Sequence, residues 1–185
     1  MTTKEAGASA PATTRLQTVE VGERSLASYL NVVPIHILEA LDREAEQLRG
    51  ARILHLNATP YGGGVSELLR SGVPLLADLG LDVEWQVITG DEPFFRVTKA
   101  IHNGLQGDPR PLTQDERDAY LATSARNAEL LEDGYDFVVV HDPQPAAMLP
   151  LCGRITCALQ NRSVRVRLSS VMWPFDNPAV GSQTS

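Results

Sequence analysis

The sequence predicts an α/β protein: a parallel sheet with helices flanking it. Three short strands, Arg52 to Asn57, Val83 to Ile88 and Phe137 to Val140, are separated by stretches with helical periodicity. Strands alternating with helices of that length require right-handed crossovers between parallel neighbours. The third strand is apolar throughout, the signature of a strand buried on both faces.

Each element has its own local cause. Pro34 sits at the tolerated first position of a helix expected to run to about Leu48, and Gly50 stops it. Between Val65 and Leu79, residues Leu68, Leu69, Val73, Leu76 and Leu79 recur at helical spacing and define one buried face. Pro74 lies inside that span, so a kink or split is expected there. Gly80 follows as a C′ glycine. Asp91-Glu92-Pro93 turns the chain into a helix expected from Phe94 to Leu105, closed by Gly107. Thr113 and Glu116 have the spacing of a capping box, in which hydroxyl and carboxylate each satisfy an orphan backbone donor. The helix they begin should reach Leu131, and Asp133-Gly134 breaks it.

Composition sets the class. A chain of 185 residues is long enough for one domain with a real core. A formal charge of −7 argues against a nucleic-acid partner, whose surface demands a basic excess. No apolar run approaches the roughly 20 residues that span a bilayer, so no membrane partner is expected. Met1 to Thr14 lacks a hydrophobic core and reads as a disordered tail rather than a secretory signal. Cys152 and Cys157 could pair, but two thiols in a reducing cytoplasm are the favoured reading. The expected location is therefore cytoplasmic. No His/Cys cluster has metal-ligand spacing, and no serine sits in a nucleophile elbow.

Two constellations lie beyond the carboxyl ends of strands, where parallel sheets hold ligands. Gly62-Gly63-Gly64 follows the first core strand and opens a helix, so bare backbone N–H groups stand ready for a phosphate or a sugar hydroxyl. A tight turn that merely lets strand and helix pack is the alternative. Neither the dinucleotide spacing of glycines nor a Gly-Lys-Ser/Thr is present, which sets aside those nucleotide-binding classes. His141-Asp142-Pro143-Gln144-Pro145 follows the third strand. The Asp142 carboxylate could accept from sugar hydroxyls, or cap a short helix from Pro143 to Leu149, or do both. A lone histidine late in a helix, as His102 is, more often favours the helix C-terminus than serves chemistry. Arg162 to Leu168 alternates basic and apolar residues, as a half-exposed edge strand does.

With those residues in place, the chain resembles the trehalose glycosyltransferring synthases, retaining glycosyltransferases of the GT-B type. The residues that carry the resemblance are Asn57 to Glu67, Trp85 with Val87-Ile88, Phe94 to Lys99, His102-Asn103, Leu105 to Gly107, and Asp136 to Pro145, in family order over roughly Tyr29 to Leu149. The resemblance implies a Rossmann-like sheet forming the N-terminal, acceptor-binding half of a GT-B fold, over 29–151. It implies transfer of glucose from a nucleotide-diphosphate-glucose donor to glucose, giving trehalose with retention. No cofactor is implied beyond that co-substrate, and no metal. Asp142 carries the catalytic role by resemblance. Tyr61, Gly62, Gly63, Gly64, Val65, His102, Asn103 and Gln144 carry substrate binding.

Two segments are expected to lie outside this half: a flexible extension over 1–28 and an aberrant or disordered tail over 152–185. The family continues into a strand ending in Arg-Cys-His-Ile-Asp and then a second Rossmann domain. From Cys152 onward this sequence instead holds four arginines, no lysine and one acidic residue. The expectation is an acceptor-binding half that is inactive alone and that allows self-association. The alternative is a non-catalytic module that binds a sugar or nucleotide.

Overall fold

The computed structural model describes residues 15–151 and the backbone of 165–169. The elements run β1 (Gln17–Thr18), a 3₁₀ turn (Leu26–Tyr29), α1 (Ile35–Glu46), β2 (Arg52–Asn57), α2 (Gly64–Asp78), β3 (Asp82–Val87), α3 (Glu92–Leu105), α4 (Gln114–Glu129), β4 (Phe137–His141), a single turn α5 (Met148–Leu151) and β5 (Arg165–Ser169). They form a three-layer α/β unit around one sheet of order β1-β3-β2-β4-β5. The β3-β2, β2-β4 and β4-β5 pairs are parallel, and β1 adds an antiparallel edge to β3. This is the Rossmann-like arrangement expected of a GT-B half.

Side chains alternate across the sheet, so each face has its own core. On one face Leu54, Leu56, Val138 and Val140 pack with Phe94, Ala128, Leu131, Tyr135 and Met148, which belong to α3, α4 and the segments beside them. On the other, Trp85 and Val87 meet Leu69 and Val73 of α2, and Ile53 meets Ala45 of α1 with Leu79 and Leu81. Leu54, Leu56 and Val140 are fully buried, as the middle of a covered sheet requires. Phe137 and Val139 are only half-buried, so β4 is fully covered on one face rather than both. Among the described residues no helix is long and apolar enough to cross a membrane.

The helix ends follow backbone chemistry. Gly80 takes φ +87°, and the Gly80 and Leu81 N–H groups donate to the Ala77 and Leu76 carbonyls at 2.9 and 3.2 Å. That pair of bonds is a complete Schellman closure of α2. Thr113 Oγ1 accepts from Glu116 N–H at 3.2 Å while the Glu116 carboxylate accepts from Thr113 N–H at 2.9 Å, so the expected capping box is present. Asp91 caps α3 by accepting from Phe94 N–H at 2.9 Å, which starts that helix at Glu92 rather than Phe94.

Several expectations are corrected. Pro34 is the N-cap of α1 rather than its first residue, and α1 ends at Glu46. Pro74 does not split α2, which runs unbroken from Gly64 to Asp78. The missing proline N–H removes one helical bond, but Leu69, Val73 and Pro74 are buried and hold both turns against the sheet. Helix α4 stops at Glu129, with Leu130 as its C-cap. Within the stretch expected to be a flexible extension, Leu16 and Val19 are core residues on either side of β1. Within the stretch expected to be an aberrant or disordered tail, Arg165–Ser169 pair with β4 as β5. Cys152 and Cys157 lie outside the described residues.

A buried asparagine ties the layers together. Asn127 of α4 accepts Thr89 N–H at 2.7 Å and donates to Thr89 and Thr123 carbonyls at 2.7 and 2.8 Å. It thus completes the backbone bonding of the loop after β3, as a neighbouring strand would. Asn127→Leu keeps the volume but orphans both Thr89 groups. Urea unfolding should show a loss of about 2–4 kcal/mol, and a loss below ~1 kcal/mol would show that the clamp contributes little.

Candidate functional site

The chain passes from β2 to β3 on one side and later reaches β4 on the other, so the strand order reverses between β2 and β4. Beyond the carboxyl ends of such strands a crevice opens. Here it is a cleft of about 580 Å³ between the loop after β2 and the loop after β4. The β2 side contributes Asn57, Ala58, Thr59, Gly62, Gly63, Gly64, Val65, Ser66 and Leu68. His102 closes it from α3, and His141, Asp142 and Gln144 from the β4 side.

The glycine loop is held rigidly from beneath. Trp85 Nε1–H donates to Asn57 Oδ1 at 3.0 Å, and Asn57 Nδ2 donates to the Thr59 carbonyl at 2.9 Å. Ser66 Oγ donates to that same carbonyl at 2.8 Å. Thr59 Oγ1 donates to the Tyr61 carbonyl at 2.8 Å, forming a local side-chain turn. Arg70 Nη2 donates to the Pro60 carbonyl at 2.8 Å, and its guanidinium lies 4.8 Å from the Tyr61 ring centre and 5.8 Å from that of Trp85. A cation between two aromatic faces fixes both.

The tip of the loop is left open. Gly62 and Gly63 take φ +73° and +81°, where a side chain would strain the backbone. Gly64, the first residue of α2, has neither excuse: its φ is ordinary, and an added Cβ would meet nothing within 4 Å. The N-terminal turn of α2 is therefore uncrowded at its first residue.

On the opposite wall Asp142 has φ +67°, the one described non-glycine residue with a positive φ. Its left-handed backbone is incompatible with the extended N-cap role considered for it, and 143–147 form turns before α5 begins at Met148. The expected helix from Pro143 to Leu149 is thus non-helical as far as Ala147, and only Met148 and Leu149 of that span lie in α5. Strain of this kind gathers at functional positions, and here it sets Asp142 at the cleft. Gln144 Oε1 is buried with no hydrogen-bond partner among the described residues. An orphaned acceptor lining a cleft fits a hydroxyl donor from a ligand.

The structure thus brings together Gly62, Gly63, Gly64, Val65, His102, Asp142 and Gln144. It does not bring in Tyr61, which is 74% exposed and stacks on Arg70 outside the cleft lining. Asn103 is also outside it; its carbonyl accepts from Gln106 and Asp108 N–H at the end of α3. His102 accepts from Gln106 Nε2 at 3.0 Å, one helical turn on. Among the described residues no group of three or more His, Cys, Asp or Glu is placed to hold a metal ion.

Sequence reasoning did not single out His55 as part of this region. Its Nδ1 lies 2.9 Å from His141 Nε2, with the rings stacked 5.2 Å apart. Burial, helped by the neighbouring His141, pulls the His55 pKa down to about 4. Burial also lowers His141, against an opposing pull from Asp142. Because the folded pKa of His55 lies below its unfolded value of 6.5, folding favours the neutral ring. That stability is complete above about pH 6.5 and is lost as pH falls toward about 4. Urea midpoints measured across that window should fall with pH more steeply in the wild type than in His55→Phe. Equal slopes would mean that His55 titrates normally.

The model of the trehalose synthase N-terminal domain family matches residues 55–162 of this chain. Trehalose synthase of Rubrobacter xylanophilus is 39% identical over 171 residues, covering 86% of this chain and 41% of that protein. Trehalose synthase of Pyrococcus horikoshii is 40% identical over 130 residues, covering 69% of this chain and 31% of the relative. A trehalose phosphorylase of Pleurotus pulmonarius is 32% identical over 143 residues, covering 70% of this chain and 19% of that protein. The chain therefore spans at most about two fifths of these relatives' length. With more than half of its residues matched, the chain belongs to the trehalose synthase N-terminal domain family.

Proposed function

We propose that this chain is the acceptor-binding part of a retaining glucosyltransferase that moves glucose from a nucleotide-diphosphate-glucose donor to glucose, forming trehalose. The observation that carries the reading is the pairing, across one cleft, of the uncrowded helix start at Gly64 with Asp142, whose backbone takes a left-handed φ. Family membership narrows the chemistry to trehalose metabolism, since the relatives carry trehalose synthase and trehalose phosphorylase names.

In this reading Asp142 is the catalytic residue, accepting from a hydroxyl of the acceptor glucose and orienting it toward the donor's anomeric carbon. Gln144 and His102 bind the same sugar. The N–H groups of Gly63, Gly64 and Val65 stabilise the charge that develops on the departing diphosphate as the glycosidic bond to it breaks. Helix-terminal N–H groups of fixed orientation do this without reorganising, which is why they act more strongly than solvent. Tyr61 acts indirectly, by holding Arg70 under the loop. Self-association of the isolated chain fits the solvent-facing apolar side chains of α1, Ile37 and Leu41.

In this reading the chain alone binds acceptor and turns over little or nothing, the described residues supplying the acceptor wall. Calorimetry should show glucose binding to the chain, weakened at least ~10-fold by Asp142→Asn, which keeps the backbone's left-handed preference and removes the charge. A non-catalytic sugar module would bind equally well but never transfer. Fusing the matched stretch to the remaining part of the Rubrobacter xylanophilus trehalose synthase separates the two readings. The fusion should form trehalose from donor and glucose, and Gly64→Val should cut its turnover ~100-fold with the fold intact. A fusion that folds and binds glucose without transferring it would favour the module.

A further inference from the structure

We propose that His55 is a positioning residue for the cleft: it donates its Nδ1–H to His141 Nε2 and so fixes His141 as the uncharged Nδ1–H tautomer beside Asp142. The half-buried His55 ring and the buried His141 ring share one short N···N contact of 2.9 Å, so one nitrogen must donate and the other accept. His55 Nε2 is buried with no hydrogen-bond partner among the described residues. If His55 carried its proton there, a buried N–H would be orphaned. If it carries the proton on Nδ1, only a lone pair is left over, the cheaper defect. The donor is therefore His55, and a neutral His141 that accepts at Nε2 must hold its own proton on Nδ1.

The consequence falls on Asp142. His141 helps to lower the His55 pKa, and Asp142 pulls that of His141 upward. A protonated His141 next to Asp142 would pair with the carboxylate and take up its acceptor capacity. With His55 donating to Nε2, the site at which His141 would take up a proton is already filled. Asp142 then keeps its oxygens for ligand hydroxyls. β2 and β4 supply one ring each, and their parallel pairing sets the contact, with His55 opposite Val139 and His141 two residues beyond. The contribution to sugar binding rests on the function proposed above, whereas the tautomer assignment stands independently of it.

Nitrogen-resolved NMR of the histidine-labelled chain tests this directly. At neutral pH both His55 and His141 should show the Nδ1–H pattern, and His55 should stay neutral as pH falls to about 5.5. His55→Leu should abolish the Nδ1–H pattern of His141. His55→Asn, whose side-chain amide can replace the Nδ1–H donor, should restore it. In parallel, glucose affinity at about pH 6 should fall ~10-fold in His55→Leu and recover in His55→Asn. Should the leucine variant fail to fold, the wild-type spectra still decide the assignment. An Nε2–H pattern at either residue, or a His141 tautomer indifferent to His55→Leu, overturns the proposal. The predicted tautomers in a chain that binds no glucose would sustain the positioning role and remove the sugar reading instead.

Discussion

The parallel pairing of β2 with β4 is the constraint on which everything else depends. The chain leaves β2 toward β3 on one side and returns to β4 on the other, so the two loops diverge beyond adjacent strands. That divergence is what keeps the space between Gly64 and Asp142 open. The same pairing buries Leu54, Leu56, Val138 and Val140 on one face and sets His55 against His141 on the other. Stability and the site thus share one source, and a slip of one residue in the β2–β4 register would exchange these two faces.

The two walls of the cleft are made by opposite means. The glycine wall is tied down below and bare above: Trp85 bonds Asn57, Ser66 and Asn57 bond the Thr59 carbonyl and Arg70 bonds that of Pro60, while a Cβ added at any of 62–64 would meet nothing within 4 Å. The Asp142 wall is strained, with an acidic residue in a backbone region that glycine ordinarily occupies. Asp tolerates that region better than most residues, and a carboxylate there can face a ligand that a glycine could not bind. In the function proposed above, the hydrogen-bond donor surface meets the phosphorylated sugar and the acceptor surface the neutral one.

Much of this was legible from local chemistry. The Schellman glycine at Gly80, the capping box of Thr113 with Glu116 and the strand Arg52–Asn57 all follow from short-range patterns that tertiary structure did not override. The element β1 was not legible, because a two-residue strand carries no periodicity and exists only through its pairing with β3. Pro74 misled because propensity counts the lost hydrogen bond and not the burial that offsets it. Asp142 looked like a helix cap because Asp-Pro commonly is one, and φ cannot be read from residue names. The imidazole couple joins residues 86 positions apart and depends on register, which no local window contains.

The central claim is that one cleft, bounded by the glycine loop and the Asp142 turn, receives the acceptor sugar. Amide chemical-shift mapping of this chain during a glucose titration tests it most directly. The account predicts saturable shifts gathered at residues 57–66 and 141–144, with the sheet's far edge unmoved. Saturable shifts centred elsewhere, or none at concentrations that saturate the related synthases, would contradict it.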